Sequence, residues 1–121
     1  MNKKILITIA VVVLASVAGV LFFRRDESKA SLDEFAQCLT DKNAVMYGAE
    51  WCAHCQNQKK EFGDSFRLVS YVECPQNTQT CLEKGISGYP TWILADGQKL
   101  VGEQELEKLS QKTGCALPQA K

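Results

Sequence analysis

The chain has 121 residues, 14 Lys and Arg against 14 Asp and Glu, six Cys and a single His. That length holds one small domain, and no basic patch points to nucleic acid, so that class is set aside. Six cysteines in so short a chain indicate an oxidising compartment, outside the cytoplasm.

The charge balance hides a division. Residues 1–30 carry 5 basic and 2 acidic side chains, and residues 31–121 carry 9 and 12. After a short flank (1–4), Ile5 to Phe23 is an uncharged run with only Thr8 and Ser16 as hydroxyls. A helix needs about 20 such residues to cross a bilayer, and the apolar region of a cleaved signal peptide is shorter. A retained single-pass anchor over 5–23 is therefore expected, although Ser16-Val17-Ala18 offers a small-x-small cleavage site. Lys3 and Lys4 before the run nearly balance Arg24 and Arg25 after it, so the positive-inside rule leaves orientation open. The cysteines decide it, placing the folded domain (31–121) outside the cytoplasm beyond a short polar linker (24–30).

In the folded part, Ser31-Leu32-Asp33-Glu34 reads as a capping box, and Leu32, Phe35, Ala36 and Leu39 follow at helical spacing. Ala44–Ala49 is an apolar run suited to a buried strand. Gln56–Phe62 reads as a helix stopped by Gly63, and Leu68–Val72 as a second strand. Pro75–Thr78 is a loop, and Gln79–Lys84 a short helix closed by Gly85. Thr91–Leu94 and Lys99–Val101 are strands joined by the hairpin signal Ala95-Asp96-Gly97-Gln98. Glu103–Thr113 is a last helix, capped by Gly114. Alternation followed by a hairpin predicts an α/β domain, a mixed sheet with helices on both faces.

The chemistry sits in Glu50-Trp51-Cys52-Ala53-His54-Cys55, between the first strand and the next helix. A Cys at a helix start meets unpaired backbone N–H groups and the helix dipole, which favour the thiolate that attacks disulfides. Cys52 is thus expected to attack, and Cys55, one turn on and more enclosed, to resolve. His54 is read as adding positive charge or a hydrogen bond to the Cys52 thiolate, which would make the disulfide a better oxidant. The bland reading of His54 is a solvated side chain. Zinc would need a second ligand pair, and Cys74 and Cys81 have the wrong spacing for one, so no metal or other cofactor is expected. A purely structural Cys52–Cys55 bridge is the other alternative.

Trp-Cys-x-x-Cys after a strand, with Gly88-Tyr89-Pro90-Thr91 about 35 residues on, resembles the thioredoxin superfamily. The resemblance implies a thioredoxin-like fold with a four-stranded central sheet, and a cis Pro90 facing the cysteines. Phe35-Ala36-Gln37-Cys38-Leu39, Met46-Tyr47-Gly48-Ala49, Tyr71-Val72-Glu73-Cys74 and Gly88-Tyr89-Pro90-Thr91-Trp92 further resemble the thioredoxin-like domain fused to bacterial and plant vitamin K epoxide reductase homologues. In those fusions the domain exchanges disulfides with a quinone-linked membrane partner. The likeness covers residues 31–115 and implies a stand-alone version of that domain. Two positions depart from it. Many thioredoxin-like enzymes carry a carboxylate where this chain has Met46, and the family dipeptide is often Pro-His where it has Ala53-His54.

Cys74 and Cys81 end a strand and enter a helix, close enough for a structural bridge, and the resemblance supports that pair. Cys38 and Cys115 remain. They either bridge the first helix to the tail or stay as a buried thiol and a tail thiol. Six cysteines allow 15 pairings, so sequence leaves this open. The expected packing of the first and last helices on opposite faces speaks against the bridge. Trp51 is read as shielding the site, and Tyr89 as lining a substrate groove or simply packing. Trp92, Phe35 and Tyr71 are read as core.

The resulting expectation is a membrane-anchored thiol–disulfide oxidoreductase. It takes electrons from reduced proteins (misoxidised proteins would be the substrates of an isomerase), and a quinone-linked membrane oxidoreductase of the vitamin K epoxide reductase or DsbB kind recharges it. The rival readings are a reductase or isomerase of the same fold, and a non-catalytic binding or assembly module.

Overall fold

The computed structural model describes residues 2–23 and 27–119, with side chains over 2–19 and 32–119. The chain divides into two compact units, Met1–Ala30 and Ser31–Lys121. The first contains helix α1 (Lys3–Phe23), 21 residues long. Its two hydroxyls are silenced within the helix: Thr8 donates to the Lys4 and Ile5 carbonyls and Ser16 to that of Val12. Among the described residues no helix is long and apolar enough to cross a membrane. The run expected to span is helical, but its side chains are described only as far as residue 19.

Helix α2 (Glu27–Asp41) starts before the expected capping box. Ser31 lies inside the helix, and Glu27–Ala30 are helical where a linker was expected. The rest of that linker, Arg24 to Asp26, lies outside the described residues. Strand β1 (Val45–Gly48) follows, then α3 (Ala53–Phe62), β2 (Ser70–Glu73), α4 (Thr78–Glu83), β3 (Thr91–Ile93), β4 (Lys99–Val101) and α5 (Leu106–Thr113). They form the four-stranded mixed sheet of a thioredoxin-like fold, in the order β2-β1-β3-β4. β1 pairs parallel with β2 and antiparallel with β3, and β3 pairs antiparallel with β4. The uncharged β1 takes a central position, where a strand is covered on both faces.

Alternation along the strands sorts the core into two clusters. Met46 and Trp92 join Phe35, Ala36 and Leu39 of α2, Phe62 of α3 and Leu109 of α5. Phe35 and Phe62 stack at 6.1 Å. Tyr47 joins Cys74 and Cys81 in the other cluster, with Val45, Val72, Ile86 and Ile93 around them. Helices α2 and α5 therefore share a cluster. That corrects the expectation of opposite faces and brings the tail after α5 back to α2. Gly114 makes the return, ending α5 in a left-handed conformation (φ 75°) that a side chain would strain, with its N–H on the Ser110 carbonyl.

Two boundaries moved for identifiable reasons. A 3₁₀ turn over Gly63–Leu68 takes in Leu68, read as the start of the strand, so β2 begins at Ser70. Thr40 holds that junction, donating to the Leu68 carbonyl and accepting from the Ser70 N–H. Helix α5 begins at Leu106 rather than Glu103, because Gln104 is tied to α3. Its N–H donates to Gln58 Oε1 at 2.7 Å, and Gln58 Nε2 returns a bond to its carbonyl.

Candidate active site at the end of strand β1

Beyond Gly48 the chain turns through Ala49–Trp51 and enters α3 at Cys52. The turn is pinned at Glu50, whose N–H donates to Glu73 Oε1 (2.8 Å) and whose carbonyl accepts from Gln56 Nε2 (2.9 Å). Cys52 is the N-cap of α3, in extended conformation, and its Sγ accepts the Cys55 N–H at 3.2 Å. This is the place where the side chain of a capping residue takes up one of the orphan N–H donors of a first turn. A thiolate there gains both that hydrogen bond and the positive end of the helix dipole.

The two thiols are not equivalent. Cys52 keeps 8% of its surface exposed and Cys55 none. Burial pushes the Cys55 thiol up to about 12; its hydrogen bond with Cys52 adds to the shift, and the Ala49 backbone and, more weakly, Lys59, one turn further along α3, oppose it. Gly48 makes room for this sulfur. A Cβ there would lie 2.8 Å from Cys55 Sγ and 3.2 Å from the Tyr71 ring, so the strand approaches the helix as closely as it does only because the residue is glycine. Behind Gly48, Tyr71 donates its hydroxyl to Glu73 Oε2 at 2.5 Å. Burial raises that phenol well above its usual range, and the Glu73 carboxylate raises it further.

Around the rim, Trp51 is 72% exposed and meets Tyr89 edge-on at 5.9 Å. The Tyr89-Pro90 bond is cis, and Pro90 is buried. His54 is placed differently from the sequence reading. It is exposed, and its Nδ1 pairs with Glu103 Oε1, which also accepts from Asn57 Nδ2 at 3.1 Å. Those bonds hold the Glu103 carboxyl below its usual range. The hydrogen bond of His54 thus goes to a carboxylate in the loop before α5 and not to Cys52.

The other four cysteines are bridged in two pairs. Cys74–Cys81 joins the end of β2 to α4, and Cys38–Cys115 joins α2 to the tail, with Cα separations of 5.7 and 5.8 Å. Cys52 and Cys55 are the free thiols. Among the described residues no group of three or more His, Cys, Asp or Glu is placed to hold a metal ion. Sequence reading passed over Gly48, Glu73 and Glu103 as site residues, and assigned Tyr71 to the core. The alternation Tyr71-Val72-Glu73 was the available signal, because it sets a phenol and a carboxylate on one face of a strand beside β1.

Comparison with known proteins agrees with this geometry. The thioredoxin family model matches residues 27–114. Thiol-disulfide oxidoreductase LTO1 of Arabidopsis thaliana is 38% identical over 111 residues, covering 82% of this chain and 29% of that protein. The probable protein disulfide-isomerase ER-60 of Schistosoma mansoni is 30% identical over 101 residues, covering 76% of this chain and 20% of that protein. The chain therefore spans less than a third of the length of these curated relatives. Among solved structures, a point mutant of thioredoxin from Halobacterium salinarum superposes with a TM-score of 0.50 at 21% identity, covering 73% of this chain and 87% of that one. By its fold, its Cys-x-x-Cys turn and these relatives, the chain belongs to the thioredoxin family.

Proposed function

We propose that the chain is a thiol–disulfide oxidoreductase acting on protein thiols, with Cys52 as the attacking sulfur and Cys55 as the resolving one. The observation that carries this reading is the placement of Cys52 as the N-cap of α3, with a rim of exposed surface, directly over a buried Cys55. In the oxidising direction a substrate thiolate attacks Cys52 Sγ of the Cys52–Cys55 disulfide, and Cys55 leaves as a thiolate and takes up a proton. A second substrate thiolate then attacks the substrate sulfur of the mixed disulfide and releases the Cys52 thiolate. The substrate gains a disulfide, and the protein holds two electrons as a dithiol.

Those electrons must move on. By the resemblance to domains fused to vitamin K epoxide reductase homologues, the acceptor is a quinone-linked membrane oxidoreductase of that kind or of the DsbB kind. The uncharged stretch 5–23 serves as the membrane anchor, and the domain works outside the cytoplasm, where its two structural bridges persist. Favourable placement of the Cys52 thiolate stabilises the reduced form, which makes the disulfide oxidising. A second reading, an isomerase or reductase, draws support from relatives named as protein disulfide isomerases.

Equilibration with glutathione buffers separates the two. An oxidant gives a potential nearer the roughly −120 mV of strong disulfide donors, and a reductase one near −270 mV. No equilibration at all would leave only a binding module. An impermeant thiol reagent applied to intact cells tests the location: labelling of full-length, membrane-bound protein supports it, and labelling only after lysis reverses it.

A further inference from the structure

Cys55 must lose a proton each time it closes onto Cys52, yet it is sealed from solvent and burial holds its thiol up at about 12. The groups facing it come from three elements. On β1 lie Met46 and Gly48, neither of which accepts a proton. On α3 lie Cys52, at the N-cap, and Lys59, whose Nζ sits 4.0 Å from the centre of the Tyr71 ring. On β2 lies Tyr71, in register with Met46, and two residues on Glu73, in register with Gly48.

The glycine is what joins these groups. Cys55 Sγ and Tyr71 Oη both border the space a Gly48 side chain would fill, 2.8 and 3.3 Å from where its Cβ would stand, with no hydrogen bond between them. The phenol then donates to Glu73 Oε2, and Glu73 Oε1 is fixed by the Glu50 N–H. Glu73 is half-buried and so reaches water, which Cys55 does not.

We propose that Tyr71 and Glu73 form a proton path by which Cys55 exchanges its proton with solvent, Glu73 acting through Tyr71 as a positioning residue. This rests on reading Cys52 and Cys55 as the redox pair. When Cys52 is held in a mixed disulfide, the Cys55 proton passes to Tyr71 Oη while the phenol proton passes to Glu73. The Cys55 sulfur attacks Cys52 Sγ, the Cys52–Cys55 bond forms, and the partner sulfur leaves as a thiolate. Glu73 returns its proton to water. Lys59 favours the step by placing positive charge beside the developing anion. In the opposite direction the same path reprotonates the departing Cys55.

The sign of one substitution separates this role from mere proximity. A Glu73 carboxylate that acted only as a nearby negative charge would hinder the Cys55 thiolate, and removing it would speed closure. A carboxylate that drains the proton does the reverse. The test uses the reduced full chain in detergent micelles with a chromogenic aromatic disulfide. The first coloured thiolate released reports attack by Cys52, and the second reports closure by Cys55. In Glu73→Gln and in Tyr71→Phe the second release should slow by about tenfold or more at neutral pH, while the first changes by less than about twofold. The loss should shrink toward alkaline pH, where hydroxide replaces the path, and the double variant should be no slower than either single one. Faster or unchanged closure in Glu73→Gln, or equal slowing of both releases, would overturn the path. A wild-type chain that releases only one equivalent, or none, would instead overturn the Cys52–Cys55 reading itself, and the path with it.

Discussion

The parallel strands β1 and β2 lie side by side in register and each delivers a cysteine to the turn that follows, but the two sulfurs meet different fates. After β1, Cys52 becomes the N-cap of α3, with a partner one helical turn away and an exposed Trp51 beside it. After β2, Cys74 enters a 3₁₀ turn with Pro75, and its partner Cys81 lies within α4, seven residues on. Both Cys74 and Cys81 sink into an apolar cluster with Tyr47. A cysteine pair is thus made reactive by what surrounds it. An orphan N–H at a helix start and an opening to solvent favour exchange, and enclosure against a sheet favours permanence.

Serine substitutions break the comparison most directly. Cys52→Ser should abolish exchange with protein thiols, and Cys55→Ser should accumulate mixed disulfides through Cys52. Serine at both Cys74 and Cys81 should leave exchange in place. Non-reducing electrophoresis and mass mapping read all three, and trapping through Cys55 in the Cys52→Ser chain would reverse the assignment.

The two structural bridges sharpen it next. On loop entropy alone, Cys38–Cys115, which closes a separation of 77 residues, should contribute about 4–5 kcal/mol, and Cys74–Cys81, with a separation of seven, about 2–3 kcal/mol. Denaturant unfolding of the two double-alanine variants should rank them in that order. The reverse order would mean that the shorter bridge acts through the packing of its cluster rather than through the unfolded chain.

How legible these regions were depended on how local their determinants are. The Cys-x-x-Cys turn, the Asp96-Gly97 hairpin and the Gly114 cap are each set by a few neighbouring residues, and sequence placed them correctly. The mixed sheet followed from the order of its elements. The sharing of one cluster by α2 and α5, which brings Cys38 to Cys115, depends on contacts across 77 residues, and no local pattern encoded it. Tyr71 does pack against the core, as read, but its hydroxyl partner Glu73, two residues on along the same strand face, was passed over. His54 was read by its neighbours in the chain, although its bond goes to Glu103, 49 residues away.

That last residue yields the smallest expected effect. As the only side chain of its kind between the two cysteines, His54 invited the expectation that its loss would lower the potential by roughly 30–65 mV, the equivalent of one charge-assisted bond. The geometry reduces this. Its Nδ1 is engaged by Glu103, so any positive charge on the ring is largely offset before it reaches Cys52. His54→Ala should therefore move the potential by less than about 30 mV, a factor below ten in the exchange constant. The change should appear instead at Glu103. That carboxyl is held below its usual range by His54 first and Asn57 second, so the pair stabilises the fold above the ordinary carboxylate pKa. The contribution is lost as pH falls through the lowered value in the folded chain. In His54→Ala the Glu103 titration, followed by carboxylate NMR, should move up toward the usual range, and the acid side of the stability profile should flatten slightly. A fall in potential well beyond about 30 mV with Glu103 unmoved would restore His54 to the cysteines and break the pairing seen here.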